Sequence, residues 1–344
     1  MQHGDWPTNG WSLVPPAEQA MRPTILAMID PYVAEHFPTL LSLVVVRHGK
    51  LVFERYYHHW RAEDRVNVKS ATKSIISALV GIALREGFVT SLDQRVYEFF
   101  PAYFPAHGDP RKREITLQHL LTLRSGLAWV ERENVQALFG SDNWVQYGLS
   151  LPVRHTPGEV FAYSTLDAHL LSAMLSRAIG GNLLKFANVS LFGPMGSSLT
   201  QWARDPQGYP IGSSELYMTP REMAKVGYLY LRRGVWDGEQ IIPEEYLEAS
   251  IHTQVSTGIS AVADPNVTLS ETYGYLWWVS TVGPYTSFFA LGYGGQTIYV
   301  IPELDVVLVT AAQWAVPMEQ GAGLPAFTIA HALAEQFVLP ALAL

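Results

Sequence analysis

The chain of 344 residues contains no cysteine. That excludes disulfides, thiolate metal sites and cysteine nucleophiles, and it leaves the redox compartment open. Charge is sparse: 16% of residues are charged, and the formal net charge is -8. An acidic chain is a poor match for nucleic acid or anionic membrane surfaces. Long apolar runs are missing too. LLSLVVV and SIISALVGIAL are too short to cross a bilayer, so no membrane span is expected. No histidine shows HExxH or similar metal-ligand spacing, and no motif in the chain implies a metal or another cofactor. His58 and His59 follow a strand-like run and read as surface residues. The Gly-x-Ser-x-Gly elbow of one large class of serine hydrolases does not occur.

The N-terminal MQHGDWPTNGWSLVPP has no basic start and no apolar centre, so it does not read as a signal peptide. As written, the chain reads as cytoplasmic; removal of a leader would place it in the periplasm or outside the cell. The sequons at Asn188 and Asn266 read as polar turns. The pattern gives no oligomeric state, monomer or homodimer.

What the chain has in quantity is hydrophobic residues, at 48%, enough for a large core. SLVVVRHGKLVFERYY predicts two strands joined by a turn at His48-Gly49-Lys50. Residues 70–86 predict a buried helix stopped by Gly87. Short helical patterns and proline-rich loops fill 88–209. TPREMAKVGYLYLRRG predicts an amphipathic helix with Thr219 as N-cap and Pro220 in its first turn. Beyond residue 270, YGYLWWVS, SFFALGYGGQTIYVIP and DVVLVTAAQW predict three strands, and an apolar helix closes the chain around 324–339. Strands at both ends with helices between predict a mixed α/β (α+β) fold. Residues 1–66 and 210–344 would form a sheet domain, 67–209 an inserted helical domain, and the active site would lie between them.

Within NVKSATKSIISALVGIALREG, Ser70 and Lys73 are three residues apart and share a helix face. It is the only Ser-x-x-Lys in the chain. The first turn of a helix presents free N–H groups and positive potential. Such potential, together with burial, disfavours a protonated lysine and suits it to act as a base toward a serine hydroxyl. The alternative is a capping serine beside a lysine that reaches to solvent. Lys69 reads as an ordinary solvated residue, and His119, within a helical pattern, as packed.

From about Trp11 to its last helix the sequence resembles the penicillin-recognising serine hydrolases, in particular their class C β-lactamase-like esterase branch. SATK is similar to the nucleophile motif. ITLQHLLTLRSGL, PGEVFAYST, LYMTPREMAKVGYLYLRRGVWDGEQIIP and LGYGGQTIYVIPELDVVLV follow in family order. The resemblance implies an antiparallel sheet flanked by helices, with a helical insertion. It places Tyr163 where the family has its catalytic tyrosine. A literal Ser141-Asp142-Asn143 reads as a turn, because PGEVFAYS fits the Tyr-x-Asn version better. Two departures matter. Thr165 stands where asparagine is usual, with a hydroxyl able to bond Lys73. The third motif, Gly292-Tyr293-Gly294, lacks the starting lysine or histidine of β-lactam-processing members. A glycine-rich version resembles that of 6-aminohexanoate-dimer hydrolases and esterases.

The implied chemistry is acyl transfer through Ser70, with Lys73 and Tyr163 moving protons. The oxyanion donors would be the N–H groups of Ser70 and Gly295, with Gln296 as the neighbouring candidate. Thr165, Tyr293, Gly294, Trp129 and Trp277 are candidate substrate contacts, with Trp144 and Tyr147 as further aromatics; Ser164 reads as a turn residue. The expected partner is a small ester. Alternatives are an amide substrate (6-aminohexanoate oligomer, β-lactam or D-amino-acid peptide) or a non-catalytic binding role.

Overall fold

The computed structural model describes residues 6–258, 272–314 and 323–342, with side chains in the last stretch described from residue 328. Its centre is an antiparallel sheet of eight strands: β1 (Leu40–Arg47), β2 (Lys50–Tyr56), β3 (Val255–Ser256), β4 (Thr272–Tyr273), β5 (Trp278–Val282), β6 (Tyr285–Gly292), β7 (Gln296–Ile301) and β8 (Val306–Ala312). Their order is β2-β1-β8-β7-β6-β5-β4-β3. The two N-terminal strands therefore join the C-terminal ones through β1 and β8, with Val44 opposite Val309. Sequence patterning indicated this union of the two chain ends.

Both faces of the sheet are buried, which explains its continuous apolar runs. Val44, Val46, Ile298, Val300, Val307 and Val309 point into one core. Their neighbours Leu43, Val45, Tyr299, Ile301, Val306 and Leu308 point into the other. Helix α1 (Ile29–His36) and the C-terminal helix α5 (Gly323–Leu333) cover the second face. The first face carries α2 (Thr72–Arg85) and α4 (Pro220–Leu231), and its core runs on into α3 (Thr165–Ala178) and the helical middle of the chain.

The turn from β1 to β2 has His48 at φ 50° and Gly49 at φ 75°. Two left-handed residues in a two-residue loop match the twist of a hairpin. A Cβ on Gly49 would also lie 2.4 Å from the Tyr228 hydroxyl. Helix α4 starts as its sequence predicts: Thr219 and Glu222 form a reciprocal capping box behind Pro220. In two places the pattern misleads: YGYLWWVS is strand only at Tyr273 and again from Trp278, with Leu276 left-handed at φ 59° between them. SFFALGYGGQTIYVIP is not a single strand but the hairpin β6–β7, which turns at Tyr293-Gly294-Gly295. Burial on both sides removes the polar alternation that would have marked the break.

His58 and His59 are exposed. Asn143 is the N-cap of the helix Trp144–Ser150 and accepts from the Gln146 amide at 2.8 Å, so Ser141-Asp142-Asn143 is a helix entry. The Asn188 side chain is engaged by both backbone groups of Leu199; Asn266 lies outside the described residues. No helix among the described residues is long and apolar enough to cross a membrane.

Candidate active site

Helix α2 is buried from Thr72 to Ala83. A helix apolar all round belongs inside a core, and this one lies between the sheet and the helical middle. Its two buried serines are anchored: Ser74 donates to the Leu276 carbonyl at 2.6 Å, and Ser77 meets the Tyr246 hydroxyl at 3.2 Å. Lys73 is 1% exposed, so it does not snorkel. Its Nζ donates to Ser70 Oγ at 3.1 Å and to the Ser213 carbonyl at 3.4 Å. Ser70 itself sits in the 3-10 turn Lys69–Ala71 that leads into the helix, half-buried, with its hydroxyl facing the lysine.

Lys73 Nζ also lies 4.7 Å from the centre of the Tyr163 ring. The structure thus brings Ser70, Lys73 and Tyr163 together from two segments far apart in sequence. Tyr163 is fixed from behind by Trp278, stacked at 5.9 Å and 20°. Trp278 in turn lies parallel to Phe289 at 6.4 Å and meets the edge of Tyr273 at 4.9 Å.

Trp278 was missed in favour of Trp277. Adjacent residues of an extended segment point to opposite sides. Trp277 is 0% exposed, packed 4.4 Å from Tyr230 and 5.5 Å from Phe288. It is a core residue and cannot touch substrate. Trp129 is buried and donates through Nε1 to Glu131 at 2.6 Å. Trp144 stacks on Phe139 and meets His169 edge-on, and the Tyr147 hydroxyl accepts from Asn134. Tyr293 is the exposed member, at 37%.

Thr165 does not bond Lys73. Its hydroxyl donates to Glu131 Oε1, and its amide donates to Glu131 Oε2 at 2.9 Å. With the Trp129 indole, three donors converge on Glu131 from the first turn of α3 and the segment before it. Its carboxylate also faces the positive N-terminal end of that helix. Nothing local in WVERENVQ marks this residue. Ser164 is the N-cap of α3 and bonds Asp167 in both directions. His119 is packed, and Thr116 donates its amide to the ring at 3.3 Å; burial lowers the pKa of that imidazole.

The third motif runs directly beside the nucleophile. A Cβ on Gly292 would lie 2.2 Å from the Val68 carbonyl oxygen and 3.1 Å from Lys69 Cβ. Gly294 and Gly295 have φ of 82° and 95°. The Gly295 amide donates to Gly292 at 3.3 Å and closes the turn, a long bond. The Gln296 side chain points away, donating to the Ala312 carbonyl at 2.7 Å. Lys69 is not solvated. It pairs with Glu215 at 3.3 Å with 14% of its side chain exposed, and its Nζ lies 3.4 Å over the Trp314 ring.

A serine hydroxyl touching a buried amine, beside a tyrosine and a glycine-rich strand end, is equipped for acyl transfer. Comparison with known proteins agrees on the class. The β-lactamase family model matches residues 26–333, and the chain belongs to that family. The 6-aminohexanoate-dimer hydrolase of Paenarthrobacter ureafaciens is 21% identical over 320 residues, 88% of this chain and 80% of the relative. Esterase EstB of Burkholderia gladioli is 25% identical over 175 residues, 44% of each chain. Among solved structures, a class C β-lactamase from Rhodobacter sphaeroides superimposes with a TM-score of 0.62 at 16% identity, covering 90% of this chain and 99% of that one. The chain is thus a member of a serine hydrolase family whose named relatives cleave amides or esters.

Proposed function

We propose that the protein cleaves carboxylic esters of small substrates through an acyl-serine intermediate. The observation that carries this reading is the 3.1 Å contact between Lys73 Nζ and Ser70 Oγ, with the lysine almost wholly buried. Ser70 Oγ attacks the carbonyl carbon, and its proton passes to Lys73, assisted by Tyr163. The alkoxide or amine leaves with a proton delivered by Tyr163. Water then attacks the acyl-serine, gives its proton back to the same pair, and frees Ser70 and the acid. The Ser70 amide and one amide of the Gly295–Gln296 step would hold the oxyanion.

Tyr293 and Gly294 form the rim on the third-motif side. Thr165 contributes through Glu131, by fixing the start of α3 next to Tyr163. The third motif has no cation of its own, which disfavours a substrate carboxylate at that strand and hence efficient β-lactam turnover. The relationship to the 6-aminohexanoate-dimer hydrolase supports a second reading, amide hydrolysis at the same site.

Wild type and Ser70→Ala should be compared on p-nitrophenyl butyrate, nitrocefin and the linear 6-aminohexanoate dimer. Ester turnover that vanishes in Ser70→Ala, with nitrocefin slow or untouched, is expected. Turnover confined to the dimer would replace the ester reading with the amide one. Absence of any Ser70-dependent turnover would point to a non-catalytic member of the family.

A further inference from the structure

A ladder of contacts closes beside the nucleophile. Val66 pairs with Met218 and Asn67 with Tyr217. The Val68 amide donates to the Leu216 carbonyl at 2.9 Å. Lys69 Nζ then meets Glu215 Oε1 at 3.3 Å, and beyond Ser70 the Nζ of Lys73 reaches the Ser213 carbonyl at 3.4 Å. One strand ascends from 66 as the other descends from 218. The Lys69–Glu215 pair is the last rung before Ser70.

That rung is unusual in its backbone. Lys69 has φ 51° and Glu215 φ 62°. Left-handed geometry strains a non-glycine residue and persists only when the surroundings hold it. Here the Asn67 side chain accepts the Lys69 amide at 2.9 Å, and the ion pair joins the two strained residues to each other. The same lysine side chain reaches the third motif. Its Cβ lies close to Gly292, and its ammonium covers the Trp314 ring. Trp314 rests on Gly294, where an added Cβ would come within 2.8 Å of it. A solvent-exposed pair would contribute little. This one is largely enclosed and ties together three segments that meet at Ser70.

We propose that Lys69 and Glu215 are positioning residues for acyl transfer. They hold the Ser70 turn at hydrogen-bond distance from Lys73 and fix the Gly292–Gly295 turn beside it, without touching the reacting atoms. The inference rests on the reading of Ser70 as nucleophile.

The test uses a fluorophosphonate probe, which labels an activated serine whatever the natural substrate, alongside kcat and KM on the best ester or amide. Lys69→Met keeps the aliphatic stem and removes the ammonium; Glu215→Gln keeps shape and removes charge; Lys69→Arg keeps a cation over Trp314. Labelling rate and kcat should fall about tenfold or more in Lys69→Met and Glu215→Gln, with KM within about twofold, since displacement of reacting groups costs rate before affinity. Lys69→Arg should recover to within about threefold of wild type. Labelling of Lys69→Met and Glu215→Gln at the wild-type rate, with Ser70→Ala blank, overturns the positioning role and leaves the nucleophile standing. So does a fall in Lys69→Arg as deep as in Lys69→Met. Undiminished labelling of Ser70→Ala instead overturns the nucleophile reading itself.

Discussion

At Asp167, burial and hydrogen bonding pull a proton in opposite directions. The carboxylate accepts from the Ser125 hydroxyl at 2.9 Å, the Ser125 amide at 3.2 Å and the Ser164 hydroxyl at 3.0 Å. These bonds favour the ionised form, but burial outweighs them, the nearby Glu131 charge adds to burial, and the carboxyl is pushed up to about 7. In the unfolded chain it returns to an ordinary value near 4. The folded protein therefore holds a proton that the unfolded chain releases between about pH 4 and 7. Stability from this group is fully present below pH 4 and is lost as the pH rises through 7. Asp167→Asn removes the titration. Melting temperature followed from pH 5 to 8 should decline less steeply in Asp167→Asn than in wild type; parallel curves would refute the assignment. The Ser125 contacts were not legible in sequence, because Ser125 and Asp167 meet only across the fold. Ser70 and Lys73 were legible because helical spacing brings them together locally. Lys69 was misread for the opposite reason: Glu215 lies 146 residues away.

Between β6 and the nucleophile turn, glycine sets the distance. The Cβ of Gly292→Ala would fall 2.2 Å from the Val68 carbonyl oxygen, against backbone that cannot swing aside as a side chain can. Either β6 or the 3-10 turn Lys69–Ala71 must shift, and the overpacking should cost on the order of 1–3 kcal/mol. The larger effect should be on chemistry. Turnover is expected to fall at least about tenfold, because a small misplacement of reacting groups is enough to do so. A Gly292→Ala enzyme with wild-type kcat would show that the strand does not set the position of Ser70. The same element shows where sequence reading works. The β1–β2 turn is announced by a glycine between two apolar runs. The β6–β7 turn lies inside one apolar stretch, and only its three glycines betray it. Trp277 and Trp278 divide between core and site by which side of the chain each faces, which composition does not record.

Across the whole molecule, the core on the first sheet face does not stop at the sheet. Ile298 of β7, Ile76 of α2 and Leu171 of α3 belong to one contiguous apolar cluster. The two chain ends are joined as well: the Arg22 amide donates to the Ala341 carbonyl at 2.7 Å. The helical middle thus shares one continuous core with the sheet. The expectation follows that sheet and helical middle unfold together. Leu171→Ala and Ile298→Ala should each lower the midpoint of one common urea transition, at a cost of about 2–5 kcal/mol for a buried side chain of this size. Far-UV circular dichroism and tryptophan fluorescence should trace that transition coincidently. Two resolved transitions, one moved only by Leu171→Ala and the other only by Ile298→Ala, would show instead that the helical middle folds by itself and docks its half of the site afterwards.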